Sequence, residues 1–159
     1  MSAREQTENG AAASDAAFLS QIERYGRLVF SPVGESMCPM LRGAMDVVVL
    51  GRADGPLKRL DVALYRNERD EYVLHRLIGR SDEGLLFAGD ARLSLDPPVE
   101  EKRVLGVMTS FFRNGREIQA GNAFYRLYAR IWCAGFGLRR VLLHGFYRAV
   151  RLRARLLKR

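Results

Sequence analysis

Ser36 lies in the stretch VGESMCPM, residues 33–40, where a glycine, a serine, a cysteine and a proline are set between apolar residues. A serine hydroxyl is a weak nucleophile at neutral pH, so acyl transfer needs a base within hydrogen-bond reach and donors for the developing oxyanion. The chain offers few bases. Lys58 lies in a turn beside Arg59, Lys102 lies in VEEKR, Lys158 is terminal, and His144 falls in a basic helical stretch. His75 differs, because strand alternation in YVLHRLI sets it on the same face as Val73 and Leu77. That predicts a semi-buried imidazole, the side-chain type whose ordinary pKa suits base work near neutrality. Taken alone, Ser36 is more often a turn serine capping a backbone N–H, and a lone strand histidine is more often structural. Cys38 stands two residues beyond Ser36 and in an extended segment would share its face, either as a rival thiol nucleophile or as a small packing residue. Cys38 and Cys133 are far apart with no CxxC spacing, which supports neither a disulfide framework nor a zinc site. No metal and no cofactor is expected.

The elements that must position these residues are mostly short strands. A Ser/Asp cap signal at residues 14–15 precedes Phe18, Ile22 and Tyr25 at helical spacing, predicting a short helix that ends near Gly26. β-type runs follow at 27–33, 46–50, 62–66, 72–78, 84–88 and 104–113, with turn residues between them. Asn114-Gly115 predicts a tight hairpin into REI. Strands joined by turns argue for a mainly antiparallel β architecture, since parallel pairs need long crossovers. From Asn122 the period becomes helical, and Gly135 and Gly137 divide the expected helix into two. The expected organisation is a disordered start and short helix over 1–27, a β domain over 28–119, and a basic amphipathic helical tail over 120–159.

In that order, VGESMCPML resembles the G-x-S-M-x-P-x-L box of the signal peptidase I superfamily, which also contains the self-cleaving repressors of the DNA-damage response. YVLHRLIG is similar to that superfamily's second box, where some members carry Lys and others His followed by Arg. FAGDARLSLDPP resembles the third, a G-D pair with a further Asp downstream, and VLGVM resembles the Gly-containing strand that follows. DVVVL and LDVALYR stand where relatives have strands beginning with Asp. The resemblance spans residues 28–119 and looks strongest to small bacterial members without the amino-terminal membrane anchor.

The resemblance implies a signal peptidase/LexA-like β domain acting as a serine endopeptidase on a precursor, leader or signal-type peptide, near small residues. It makes Ser36 the nucleophile, His75 the general base and Asp90 the acid that orients the histidine, with Asp96 the alternative. The Ser36 backbone N–H would serve the oxyanion, with Gly34 in the same turn. Met37 would pack beneath the site or line the substrate groove, and Pro39 would stiffen the turn. Arg76 should face away from His75, either in an ion pair or toward a substrate carbonyl. Three positions depart from the pattern: Ala91 replaces the Asn that follows the third-box G-D, and Met45 and Leu60 replace the Gly that precedes Asp46 and Asp61. A binding protein that kept the groove without turnover is the competing class.

The net charge of +8 is unevenly distributed. No acidic residue follows Glu117, whereas Arg126, Arg130 and eight further Lys and Arg residues do. Arginine interleaved with aromatic residues over 122–159 reads either as solvated amphipathic helices or as an anionic-surface adaptor. A membrane surface is the first choice and nucleic acid the second. The polar first residues lack a secretory-signal pattern, and no apolar run reaches the length needed to span a bilayer. The expected location is cytoplasmic, with peripheral attachment to the inner membrane face; the oligomeric state is left open.

Overall fold

The computed structural model describes residues 15–53 and 55–134. Residues 15–25 are helical (α1) and lead into seven strands: β1 Leu28–Phe30, β2 Val47–Gly51, β3 Val62–Arg66, β4 Tyr72–Ser81, β5 Gly84–Ala88, β6 Val104–Arg113 and β7 Arg116–Gln119. A second helix, α2 (Ala123–Trp132), closes the described chain. All strand pairs are antiparallel, in the order β1-β2-β6-β3-β4-β5. β7 pairs with the far half of β6, on the edge whose near half takes β3. The mainly β architecture read from turn spacing is therefore present.

The sheet is covered on both faces, so β3 is buried at four consecutive residues, Val62 to Tyr65. Val62, Leu64 and Leu74 join one core with Met37, Leu41, Phe111 and Tyr125. Ala63, Tyr65, Leu77 and Phe87 form a second core on the other face. Adjacent residues of β4 consequently enter different environments, because successive side chains of a strand point to opposite faces.

Expected boundaries shift where backbone chemistry intervenes. β1 stops at Phe30 and not at residue 33, because Pro32 has no N–H to give the ladder. The Pro32 carbonyl instead accepts from Ala44 N at 2.8 Å. β4 runs on to Ser81 through a register shift between Leu77 and Gly79. Asn114 and Gly115 both adopt positive φ, 51° and 77°, as a two-residue turn between Arg113 and Arg116 requires. In α1, Ile22 is buried and Phe18 meets the Tyr72 ring edge-on at 5.0 Å. Tyr25, expected on the same stripe, is exposed, since the helix ends beside it and Gly26 turns the chain at φ 69°.

The first expected tail helix forms as α2, with the Asn122 side chain accepting from the backbone N–H of Phe124 and Tyr125. The second expected helix, beyond Gly135, and the start over residues 1–14 lie outside the described residues. Among the described residues no helix is long and apolar enough to cross a membrane.

Candidate active site

Ser36 sits in the connection between β1 and β2, which curls into tight turns from Gly34 onward. Cys38 N donates to Glu35 O at 3.0 Å and Leu41 N to Met37 O at 2.9 Å. Met37, Met40 and Leu41 are buried in the core beneath, leaving Ser36 half-buried above them. Gly34 takes φ 93°, and a Cβ at Gly43 would stand 2.0 Å from its carbonyl oxygen, so the two glycines let the loop close on itself.

A charged clamp fixes this loop to the sheet. Asp46, fully buried, receives Arg42 Nη2 at 2.7 Å and Arg113 Nη2 at 2.7 Å. Burial opposes its ionisation, but the hydrogen bonds from Arg42 and Arg113 outweigh it and hold the carboxyl at about 2. Arg113 also donates to the carbonyls of Pro39 and Met40. Pro39 follows a cis peptide bond, and its carbonyl is held by the guanidinium reaching in from β6.

His75 is buried on β4, opposite Ala63 of β3 and diagonal to Tyr65. Its Nδ1 lies 2.6 Å from Asp96 Oδ2, and Tyr65 OH donates to the same oxygen at 2.8 Å. Burial would raise the Asp96 pKa, yet the hydrogen bond and positive field of His75, with the Tyr65 hydroxyl, bring it below the ordinary carboxylate value. An ionised Asp96 can only accept, so Nδ1 carries a proton, and in the neutral imidazole Nε2 is then the acceptor. Nε2 lies near the Ser36 turn. A Cβ built on Gly89 would stand 2.9 Å from His75 Nε2 and 2.5 Å from the Ser36 carbonyl oxygen, so the two are separated by no more than those distances together. The same carbonyl accepts from Ala91 N at 2.8 Å. The loop after β5 thus anchors the Ser36 turn through its backbone, and the Asn-to-Ala departure at position 91 leaves that contact intact.

The orienting acid expected first, Asp90, is not beside His75. Its carboxylate forms a doubly hydrogen-bonded pair with Arg76, Nε to Oδ1 at 2.9 Å and Nη2 to Oδ2 at 2.7 Å, both residues fully buried. The physical reason is alternation: Arg76 follows His75 on β4 and therefore enters the opposite face, where it draws the nearer carboxylate of the same loop. Arg76 Nη1 reaches Leu60 O and Tyr125 OH, each at 3.0 Å. Of the two roles left open for Arg76, the structure places it in an ion pair away from the cavity. Trp132 of α2 donates to Asp90 O at 2.8 Å, so α2 is locked onto the back of the loop that carries Asp96. Asp96 comes round to His75 because its own N–H donates to Phe87 O at 2.8 Å.

Ser36, His75 and Asp96 all line one cavity of about 660 Å³, with Gly34, Met37 and Tyr65 also in its wall. The β3–β4 turn around Asn67 and the Pro97-Pro98 segment also line it. Ser36 Oγ makes no hydrogen bond to His75 among the described residues. Cys38 Sγ donates to Leu41 O at 3.4 Å, and burial together with the negative charge of Glu35 pushes its thiol pKa up, which disfavours the nucleophilic thiolate. Among the described residues no cluster of three or more His, Cys, Asp or Glu side chains could hold a metal ion.

Motif reading misses Tyr65 and Arg113, and gives Gly89 of the G-D pair no role of its own. For Tyr65 a signal exists, since pairing VALYR with YVLHR in antiparallel register puts it on the His75 face; Gly89 and Arg113 act through contacts that only folding creates. No family model matches the chain, and neither does any curated protein.

Proposed function

We propose that the chain is a serine endopeptidase of signal peptidase/LexA-like fold, with Ser36 as nucleophile, His75 as general base and Asp96 as the acid that orients it. The observation that carries the reading is the Asp96–His75 pair, whose Nε2 lies near the Ser36 backbone and which lines one cavity with Ser36. A carboxylate on Nδ1 selects the tautomer that leaves Nε2 basic and stabilises the imidazolium formed during attack. Ser36 Oγ adds to the carbonyl carbon of the scissile bond while its proton passes to Nε2. The tetrahedral oxyanion is received by the Ser36 N–H, the leaving amine takes the proton from Nε2, and water then hydrolyses the ester by the reverse relay. The substrate is an extended precursor or leader-type peptide with small residues at the cleaved bond.

Purified protein is tested on a panel of alanine-containing leader peptides. Wild type hydrolyses them and Ser36→Ala does not; equal hydrolysis by both ends the proposal. A groove that binds such peptides without turnover is the second reading, favoured by the absence of a Ser36–His75 hydrogen bond. Catalytic hydrogen bonds often tighten only when substrate is bound. Binding of the same peptides with no cleavage by wild type, and equal affinity in Ser36→Ala, would establish that second reading.

A further inference from the structure

The two faces of α2 have different fates. Tyr125, Ala129 and Trp132 are buried against the domain, and Tyr125 and Trp132 grip Arg76 and Asp90. The opposite arc presents Phe124, Leu127 and Ile131, which are 84, 54 and 49 % exposed. Their spacing of three and four residues makes one continuous stripe along the helix. Arg126 and Arg130, also one turn apart and exposed, run beside that stripe. Such a stripe, flanked by cations that make no ion pair among the described residues, has the composition of a helix lying in a lipid headgroup layer.

We infer that this outer face of α2 docks the domain onto an anionic lipid bilayer, with Phe124, Leu127 and Ile131 entering the acyl boundary and Arg126 and Arg130 meeting lipid phosphates. Charge selects this occupant over the others. A second copy would set its own Arg126 and Arg130 against the same pair, and the chain beyond residue 134 contributes eight more Lys and Arg residues and no Asp or Glu. Covering the face with that segment therefore also opposes like charges. Nucleic acid would use the arginines but leave the aromatic and aliphatic stripe in water, whereas a bilayer accommodates both. The inference stands whether or not Ser36 turns over.

The test uses the full chain with phosphatidylglycerol–phosphatidylcholine vesicles, pure phosphatidylcholine vesicles and a duplex DNA oligonucleotide, in a salt series. Cosedimentation with the anionic vesicles is expected, weakened by salt and absent with pure phosphatidylcholine. A Phe124→Trp variant should show a blue-shifted emission on the anionic vesicles and quenching by brominated lipid, a signal that buried Trp132 does not supply. The triple variant Phe124→Gln, Leu127→Gln, Ile131→Gln keeps good helix formers and should lower the partition coefficient roughly tenfold or more. Its melting temperature, measured alongside, shows whether α2 remains docked; if it does not, the emission of the Phe124→Trp variant decides. Vesicle binding without any change at position 124 would assign attachment to the following segment and overturn the inference. DNA binding without vesicle binding, or a dimer abolished by the triple substitution, would overturn it too.

Discussion

Asp96 approaches His75 to 2.6 Å across the cavity wall, and the contact joins a loop residue to a strand residue twenty-one positions earlier. The imidazole tautomer depends on that single carboxylate oxygen. Replacing Asp96 with Asn keeps the volume but lets an amide face Nδ1, allowing the proton to move to Nε2. Peptide hydrolysis should then fall on the order of 10³- to 10⁴-fold with little change in melting temperature. Steady-state kinetics on the leader-peptide panel would reveal the drop, and undiminished kcat would remove Asp96 from the mechanism.

Asp90 should behave in the opposite way. Asp90→Asn leaves the buried Arg76 guanidinium without its counter-ion, a change that costs about 3–5 kcal/mol. Denaturant unfolding should show the lowered midpoint, and α2 should loosen with it because Trp132 and Tyr125 share the network. A variant as stable as wild type would mean that the pair does not hold this face together.

Tyr65→Phe removes one donor to Asp96 and leaves the buried ring, stacked on Phe87 at 4.5 Å, in place. We expect roughly a tenfold loss in kcat with little change in KM, in line with a hydrogen bond to a charged group. The hydroxyl helps to lower the Asp96 pKa, so without it the Asp96 carboxyl should titrate at higher pH, as read by carbon-13 NMR of the carboxyl groups. A purely structural role would alter stability and leave that titration where it was.

Gly89→Ala introduces a methyl group 2.5 Å from the Ser36 carbonyl oxygen and 2.9 Å from His75 Nε2. Backbone and ring must part to admit it. Stability should drop by about 1–3 kcal/mol and kcat/KM by roughly 100-fold, the usual consequence of displacing a reacting group by about an ångström. An alanine variant with wild-type kinetics would show that the two groups need not be so close.

The Asp46 clamp predicts acid sensitivity of the Ser36 loop. Its folded pKa of about 2 lies below the ordinary 3.8, so folding favours the ionised form. The stabilisation is complete above about pH 4 and is lost as pH falls through 2. Because Arg42 and Arg113 are partly exposed, the contribution should be of the order of 1–2 kcal/mol after screening. Unfolding free energies of wild type and Asp46→Asn should converge across that window; parallel curves would contradict the assignment.

Turn residues and alternation by themselves determined the strand count, the antiparallel class, the Asn114-Gly115 hairpin, and the opposite facing of His75 and Arg76. These are local consequences of backbone sterics and of the two-residue period of a strand, so a sequence carries them without its partners. Tertiary structure decided the rest. Asp90 and Asp96 belong to one loop, and nothing in GDARLSLD says which reaches which face; the choice followed from where the loop crosses the strand, with Arg76 on one side and His75 and Tyr65 on the other. Gly89 against Ser36, and Arg113 against Pro39 and Met40, join residues fifty or more positions apart. Such contacts depend on chain closure and packing, for which local sequence has no period to read.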